Sequence, residues 1–198
     1  GSLPDITTTI LDLMCPLDAF TVTINEVKID TSSLQAYESY NAPFVEIYNS
    51  HSSALNLRQL RFEGLITGTF GGFPPAPRVS AGEYLVIYNA DIGNVSCADC
   101  LCTKSNGVWC DGTVYVPCGA SYNCQFDDTM TNTNWNLVVK NTIESKDTII
   151  ADVAYSAGSF PSIEDGFSVE LVANTWQQSC NVQGSPGDAA MSICSSNP

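Results

Sequence analysis

Six of this chain's nine cysteines lie in one short stretch between Cys97 and Cys124. Cytosolic thiols are kept reduced, so this many cysteines in a short chain is typical of a secreted protein with disulfides. The spacing of Cys97 and Cys100 would also suit a pair of zinc ligands, but no second such pair follows and the only histidine, His51, lies far upstream. We therefore expect three disulfides among the six, in a pairing that the sequence leaves open. The six are Cys97, Cys100, Cys102, Cys110, Cys118 and Cys124.

The three remaining cysteines, Cys15, Cys180 and Cys194, are an odd number, so at most two of them can pair within the chain. We expect Cys180 or Cys194 to bind Cys15 or its neighbour, which would tie a terminus to the domain. The third cysteine is then free or bridges to another molecule. One acceptor motif for glycosylation, Asn94-Val95-Ser96, agrees with a secreted glycoprotein.

The composition excludes several classes of partner. Only 14% of the residues are charged, and the net charge is −14. Such a surface repels phosphate backbones and anionic lipids, so we expect no nucleic acid partner. No apolar run approaches the roughly 20 residues of a membrane span, so we expect no membrane insertion either. The acidic surface would attract cations, and weak calcium binding is the only cofactor-like interaction that we predict.

Period-two alternation of apolar and polar residues runs through most of the chain, and no window of helical length shows a convincing helical period. Several short strands separated by turn residues predict an all-β protein built as a two-sheet β-sandwich. The predicted strands are 20–29, 44–48, 55–62, 84–88, 135–140, 147–155 and 167–172.

The same pattern predicts the domain organisation. Residues 1–19 precede the first strand as an N-terminal extension, residues 20–190 form the sandwich, and residues 191–198 are a C-terminal tail. The cysteine-rich stretch, residues 91–128, is interpreted as a disulfide-stapled loop insertion. The chain is long enough to bury a core without the help of cysteines.

A series of short motifs follows the predicted strands in order. The motifs are Ile24-Asn25-Glu26, Phe44–Asn49, Leu55-Asn56-Leu57 with Leu60, Val79–Val86, Asn134–Val139, Ile150–Tyr155, Asp165–Glu170, Trp176, and Gly184-Ser185-Pro186-Gly187. In this order they resemble the lamin tail domain, an immunoglobulin-like β-sandwich, over about residues 22 to 188. Glu170 stands where that family often has a basic residue. The resemblance implies a structural or interaction module, and it implies architectural roles for Glu26, Glu46, Asp152, Trp176 and Gly187.

The residues themselves allow two readings of Glu26 and Glu46. They could form a catalytic carboxylate pair or bind a metal. They could also pair with a basic residue between strands and hold the register of the sheet, for which Arg58, Arg61 and Arg78 are the nearest arginines in sequence. We favour the structural role, because the resembling family keeps these residues in proteins without enzymatic activity.

Little else in the sequence points to catalysis. His51 lies in the polar turn Asn49–Ser53, and no nucleophile motif accompanies it, so a solvated turn histidine is favoured over a catalytic base. Asp127 and Asp128, followed by Asn132, Asn134 and Asn136, are rich in oxygen ligands but lack the order of an EF-hand. We predict that the protein is not an enzyme.

The N-terminal extension is unusually apolar between Leu3 and Met14. Its apolar residues are Ile6, Ile10, Leu11, Leu13 and Met14. Such a segment can fold back as an edge strand of its own sandwich, which we favour, or pair with the sheet edge of the next molecule and build a filament. We expect a secreted structural protein that binds itself or other extracellular proteins in a cell coat, an adhesive or a fibre. The alternative is a module that binds glycans or calcium.

Overall fold

The structure is a computed structural model, and it describes part of the 198-residue chain. The described residues are 22–29, 42–70, 78–90, 108–110, 113–119, 123–127, 134–143, 146–156, 166–180 and 184. No helix among these residues is long and apolar enough to cross a membrane.

The described residues form strands joined by turns, together with one short 3-10 helix at Leu57–Gln59. The strands are β1 (Thr23–Lys28), β2 (Phe44–Tyr48), β3 (Leu55–Asn56), β4 (Leu60–Gly64), β5 (Ile66–Thr69), β6 (Arg78–Val79), β7 (Tyr84–Asn89), β8 (Val108–Cys110), β9 (Thr113–Cys118), β10 (Cys124–Phe126), β11 (Asn134–Ile143), β12 (Lys146–Ser156), β13 (Val169–Val172) and β14 (Thr175–Gln178).

Two sheets pack face to face. The larger has seven strands in the order β14-β13-β1-β2-β7-β9-β8, and the smaller has five in the order β10-β5-β4-β11-β12. A two-stranded pair, β3 and β6, lies beside them. The prediction of an all-β sandwich is therefore confirmed.

The core lies between the inner faces of the two sheets, the faces that look toward each other. Across the seven-stranded sheet, Val169, Val27, Val45, Ile87 and Val116 are register neighbours, and none is more than 2% exposed. Branched side chains of this kind pack well on a pleated surface, and their burial is the main favourable term in folding. The five-stranded sheet faces them with Leu60, Phe62, Ile66, Leu137 and Val139.

One predicted strand is interrupted. Residues 55–62 alternate in sequence, but the 3-10 helix separates β3 from β4. Asn56 caps this helix, since its side chain accepts a hydrogen bond from the main-chain N–H of Arg58 at 3.1 Å. Leu57 and Leu60 are both buried, at a spacing of three residues rather than two. This spacing, one residue longer than in a strand, lets the chain turn from β3, in the two-stranded pair, into β4 of the five-stranded sheet.

The cysteine-rich stretch contributes strands to both sheets. It contains β8, β9 and β10, and β9 pairs in parallel with β7 along its whole length. A disulfide joins Cys118, at the end of β9, to Cys124, at the start of β10, so it links the seven-stranded sheet to the five-stranded sheet. Both cysteines are buried in the core. The stretch that we interpreted as a loop insertion is therefore partly an integral piece of the sandwich.

This bridge agrees with the predicted pairing within the cluster, and the other two bridges stay a prediction. Cys97, Cys100 and Cys102 lie outside the described residues, and the side chain of Cys110 is not described. Cys180 is also disulfide-bonded. Its partner is not among the side chains that the structure describes, so the predicted link toward Cys15 is untested.

Candidate functional site: a buried row of carboxylates

Three glutamates lie side by side on neighbouring strands of the seven-stranded sheet. Glu26 of β1 is the register partner of Glu170 of β13 on one side and of Glu46 of β2 on the other. Directly opposite residues in antiparallel strands place their side chains on the same face, about 5 Å apart. We call Glu170, Glu26 and Glu46 the carboxylate row. It lies on the outer face of the sheet, away from the core.

A β-bulge puts Glu26 on that outer face. Ile24 pairs with Ile47 and Glu26 pairs with Glu46, so Asn25 is an extra residue in β1. A bulge of this kind re-aims the side chains that follow it. Without it, Ile24 and Glu26 would share the inner face. The bulge is visible in the sequence as a break in the alternation. Apolar residues occupy even-numbered positions up to Ile24 and odd-numbered positions from Val27 onward.

The row is held by hydrogen bonds to neighbouring side chains. Asn25 donates from Nδ2 to Oε1 of Glu46 at 2.6 Å, and the hydroxyl of Ser168 donates to Oε1 of Glu26. Lys28 lies on the same outer face, two residues along β1 from Glu26, where its register partner is Phe44. Glu46 thus has an amide donor and Glu26 a hydroxyl donor, as buried acids require.

The row is closed to solvent. Glu26, Glu46 and Lys28 are all 0% exposed, and Glu170 is 1% exposed. Charged side chains are almost never buried to this degree unless they are paired or hydrogen-bonded. A substrate in solution cannot reach these oxygens without a change in structure.

Gly184 lies directly on the row. Its φ is +79°, in the left-handed region that favours glycine. A Cβ added at this position would collide with Oε1 of Glu26 and would lie 2.9 Å from both the ring of Phe44 and the hydroxyl of Ser168. Only glycine can bring the backbone so close to the carboxylates, which explains the first glycine of the Gly184–Gly187 motif.

The chemistry that this arrangement supports is structural. Paired carboxylates catalyse hydrolysis only where a substrate can enter between them. Among the described residues, no group of three or more His, Cys, Asp or Glu side chains is placed to hold a metal ion. A buried, hydrogen-bonded polar cluster instead penalises any pairing that separates its members, because each buried polar group left without a partner costs about 1–3 kcal/mol. The row therefore specifies the register of β13, β1 and β2.

The arginines that we considered as partners lie elsewhere. Arg61 contacts Glu63 and Asp147, at 3.4 Å each, on the outer face of the five-stranded sheet, and Arg58 and Arg78 are exposed. Lys28 is the basic residue that the register places beside the row. Sequence reasoning missed it, although a lysine two residues after Glu26 in a strand falls on the same face.

The other motif residues occupy separate places. Asp152 is exposed on the outer face of β12, opposite Val138. Trp176 of β14 packs edge-on against Trp135 at 6.3 Å between ring centroids, and Trp135 stacks on Tyr155 at 5.3 Å. Burial raises the pKa of Tyr155 above its usual value. These aromatic rings join the two sheets and make no contact that the structure describes with the carboxylate row.

His51 lies in a turn, as expected. Its ring nitrogen Nδ1 accepts a hydrogen bond from the main-chain N–H of Ser53 at 3.1 Å. The main-chain N–H of His51 donates to Oδ1 of Asn49. The remaining predicted site residues lie outside the described part of the chain. They are Ile6, Ile10, Leu11, Leu13, Met14, Cys15, Asn94, Cys97, Cys100, Cys102, Gly187 and Cys194.

Comparison with known proteins found no match: no protein-family model, no curated protein and no solved structure matches this chain.

Proposed function

We propose that this protein is a secreted, non-enzymatic structural or interaction module, a subunit of an extracellular assembly that forms through surface and edge-strand contacts. The observation that carries the proposal is the burial of the carboxylate row. Its three carboxyl groups are sealed inside the protein, where they can hold the sheet together but cannot meet a substrate without a change in structure. The resemblance to lamin tail domains and the disulfide between the sheets support the same proposal.

A surface suited to contact with another protein lies on the outer face of the five-stranded sheet. Ile149 of β12 is 59% exposed and is the only exposed large hydrophobic residue among those described. Its register partner is Lys140, which contacts Glu63 at 2.6 Å. Glu63 and Asp147 both contact Arg61. We call Ile149 and these four charged residues the Ile149 patch.

The patch has the composition of a protein-binding surface. An apolar side chain at its centre can be buried by a partner, while the surrounding charges of both signs can pair across the contact. Since both signs are present, the patch is complementary to itself, so a second copy of this chain is a suitable partner.

Substitution of Ile149 tests the proposal. Burial of one isoleucine contributes about 1.5–3 kcal/mol, so Ile149→Lys is expected to weaken assembly by about 10-fold to 100-fold. Ala81→Lys is the control, because Ala81 is exposed in the turn before β7, a strand of the other sheet. Sedimentation velocity over a concentration series, with electron microscopy of the secreted material, measures assembly.

Two results would contradict the proposal. One is a full-length protein that stays monomeric at every concentration with its disulfides intact. The other is turnover of a substrate that is lost when Glu26 or Glu46 is replaced by glutamine. The charge of −14 still predicts millimolar calcium binding at exposed carboxylates, and calorimetry that found a submicromolar site would favour a binding module instead.

A further inference from the structure

The carboxylate row holds more acidic groups than its surroundings can balance. Its three carboxyl groups are register neighbours, and each glutamate is at most 1% exposed. Lys28, which is 0% exposed, is the only basic residue on the described strands of the seven-stranded sheet. If all four groups were ionised, three negative charges and one positive charge would leave a net charge of −2 inside the protein.

The rest of the chain offers few basic residues that could change this balance. It contains seven lysines and arginines in all and one histidine. His51 lies in its turn, and Lys104 lies outside the described residues. The other five lie on the five-stranded sheet, the 3-10 helix or β6, and they are Arg58, Arg61, Arg78, Lys140 and Lys146. Among the described residues, the row therefore has one base for three acids.

Across the described strands of the sheet, no other charged group continues the row. The register partner of Glu170 on β14 is Gln177, and that of Glu46 on β7 is Val86. Tyr115 of β9 comes next, and a phenol is ordinarily neutral at pH 7. The amide and the hydroxyl that donate hydrogen bonds to the row bring no positive charge.

The spacing of the row opposes ionisation of all three acids. At an effective dielectric constant of about 20, two like charges about 5 Å apart disfavour the second ionisation by roughly 100-fold. Burial disfavours each charge further. Glu26 would have a negative neighbour on both sides. Neighbouring carboxyl groups titrate as a unit, so a proton that they retain belongs to the row and not to one residue.

We propose that the carboxylate row keeps at least one proton at pH 7 and acts as a pH-sensitive catch, which weakens the contact of β13 with β1 as the pH rises. This inference goes beyond the proposed function, because it gives the domain a response to pH.

The contact between β13 and β1 is where repulsion within the row has the greatest effect. β13 meets β1 through the pairs Glu26–Glu170 and Val27–Val169, whereas β2 pairs with β1 along its whole length and with β7 on its other side. The backbone at Gly184 lies against Glu26, so this carboxylate cannot leave the sheet without displacing it. The weaker strand contact therefore separates first.

The direction of the pH dependence follows from the count of bound protons. A glutamate in an unfolded chain releases its proton near pH 4.3, so the folded protein binds more protons than the unfolded protein at neutral pH. The row's contribution to stability is therefore complete below about pH 4.3 and is lost as the pH rises through the value at which the folded row releases its proton.

Urea unfolding of the full-length protein and of Glu26→Gln at pH 5.5 and pH 8 tests this proposal. The unfolding equilibrium constant of the unmodified protein, divided by that of the variant, should rise at least about tenfold between the two pH values. Asp152→Asn is the matched control, because it removes one negative charge from an exposed position on the other sheet and should not change the pH dependence. The effect of Glu26→Gln should persist in 0.5 M NaCl, since salt screens buried charges far less than exposed ones.

Hydrogen exchange locates the effect. For amides in residues 169–178, the exchange rate of the unmodified protein divided by that of Glu26→Gln should rise at least about tenfold from pH 5.5 to pH 8. For amides in β7 this ratio should change much less. Equal changes in the two regions would overturn the catch between β13 and β1.

Two results of the urea experiment would overturn the retained proton. One is a ratio of unfolding constants that is the same at pH 5.5 and pH 8, and the other is an equal effect of Asp152→Asn. If Glu26→Gln does not fold, Glu170→Gln removes a carboxyl group from the end of the same row and is held to the same outcomes.

Discussion

Asn49 is expected to be one of the most sensitive single positions in this protein. It is fully buried at the end of β2. Its Nδ2 group lies within hydrogen-bond distance of three main-chain carbonyls, those of Ser53 at 2.9 Å and of Val79 and Ser80 at 3.0 Å each. Its Oδ1 accepts from the N–H of His51 at 3.1 Å. One side chain thus joins the turn after β2 to the chain around β6.

Asn49→Asp removes the donors and little else. The replacement has the same shape and keeps the acceptor for His51, but it directs a carboxylate oxygen at three carbonyls. Two lost hydrogen bonds cost about 1 kcal/mol each, and an unpaired buried polar group adds about 1–3 kcal/mol. We expect a loss of about 3–5 kcal/mol in the free energy of unfolding. For a domain of this size, that lowers the melting temperature by roughly 10 °C.

Urea unfolding at pH 7 and near pH 4 measures the effect and its cause. Burial disfavours the charged form of a carboxyl group. The loss in the free energy of unfolding should therefore be smaller near pH 4, where the new side chain gains a proton. Asn56→Asp is the matched control, because Asn56 accepts only an exposed main-chain N–H and aspartate caps equally well. Equal urea midpoints for the two variants at pH 7 would refute the reasoning.

Three further predictions follow from the described contacts. Gly184→Ala should destabilise the protein by about 2–3 kcal/mol and Gly82→Ala by about 1 kcal/mol. Both glycines have a positive φ (79° and 77°), but an added Cβ collides with the carboxylate row only at Gly184, whereas at Gly82 the nearest atom is 3.9 Å away. Equal urea midpoints for the two variants would contradict this. Replacement of both Cys118 and Cys124 by serine should cost about 2 kcal/mol in chemical unfolding, and peptide mapping of the native protein should link these two to each other. Because burial raises the pKa of Tyr155, its contribution to stability is complete below about pH 10 and is lost as the pH rises through the folded value. A spectrophotometric titration should show one late phenol that is absent from Tyr155→Phe.

The local pattern of the sequence was sufficient for the class of fold and for the positions of eight of the fourteen strands, and it missed β5, β6, β8, β9, β10 and β14. The alternation in residues 44–48 predicted β2 with the bounds that the structure has, and the prediction for residues 84–88 differs from β7 by one residue. Alternation is a local property, since it needs only one buried and one exposed face along a single strand. The same locality explains the error at residues 55–62, where a cap and a single 3-10 turn interrupt an apparently continuous strand.

Only the tertiary structure decided which strands are neighbours. Glu26 and Glu46 were recognised as motif residues, but nothing in their spacing says that they face each other, that Glu170 completes the row, or that Gly184 covers it. Alternation assigns a side chain to a face of its own strand, whereas register and strand order depend on pairing between residues far apart in the chain. The parallel pairing of β9 with β7 is of the same kind. The carboxylates therefore became a buried structural cluster only when three distant segments were placed side by side, because their environment, and not their identity, determines what they can do.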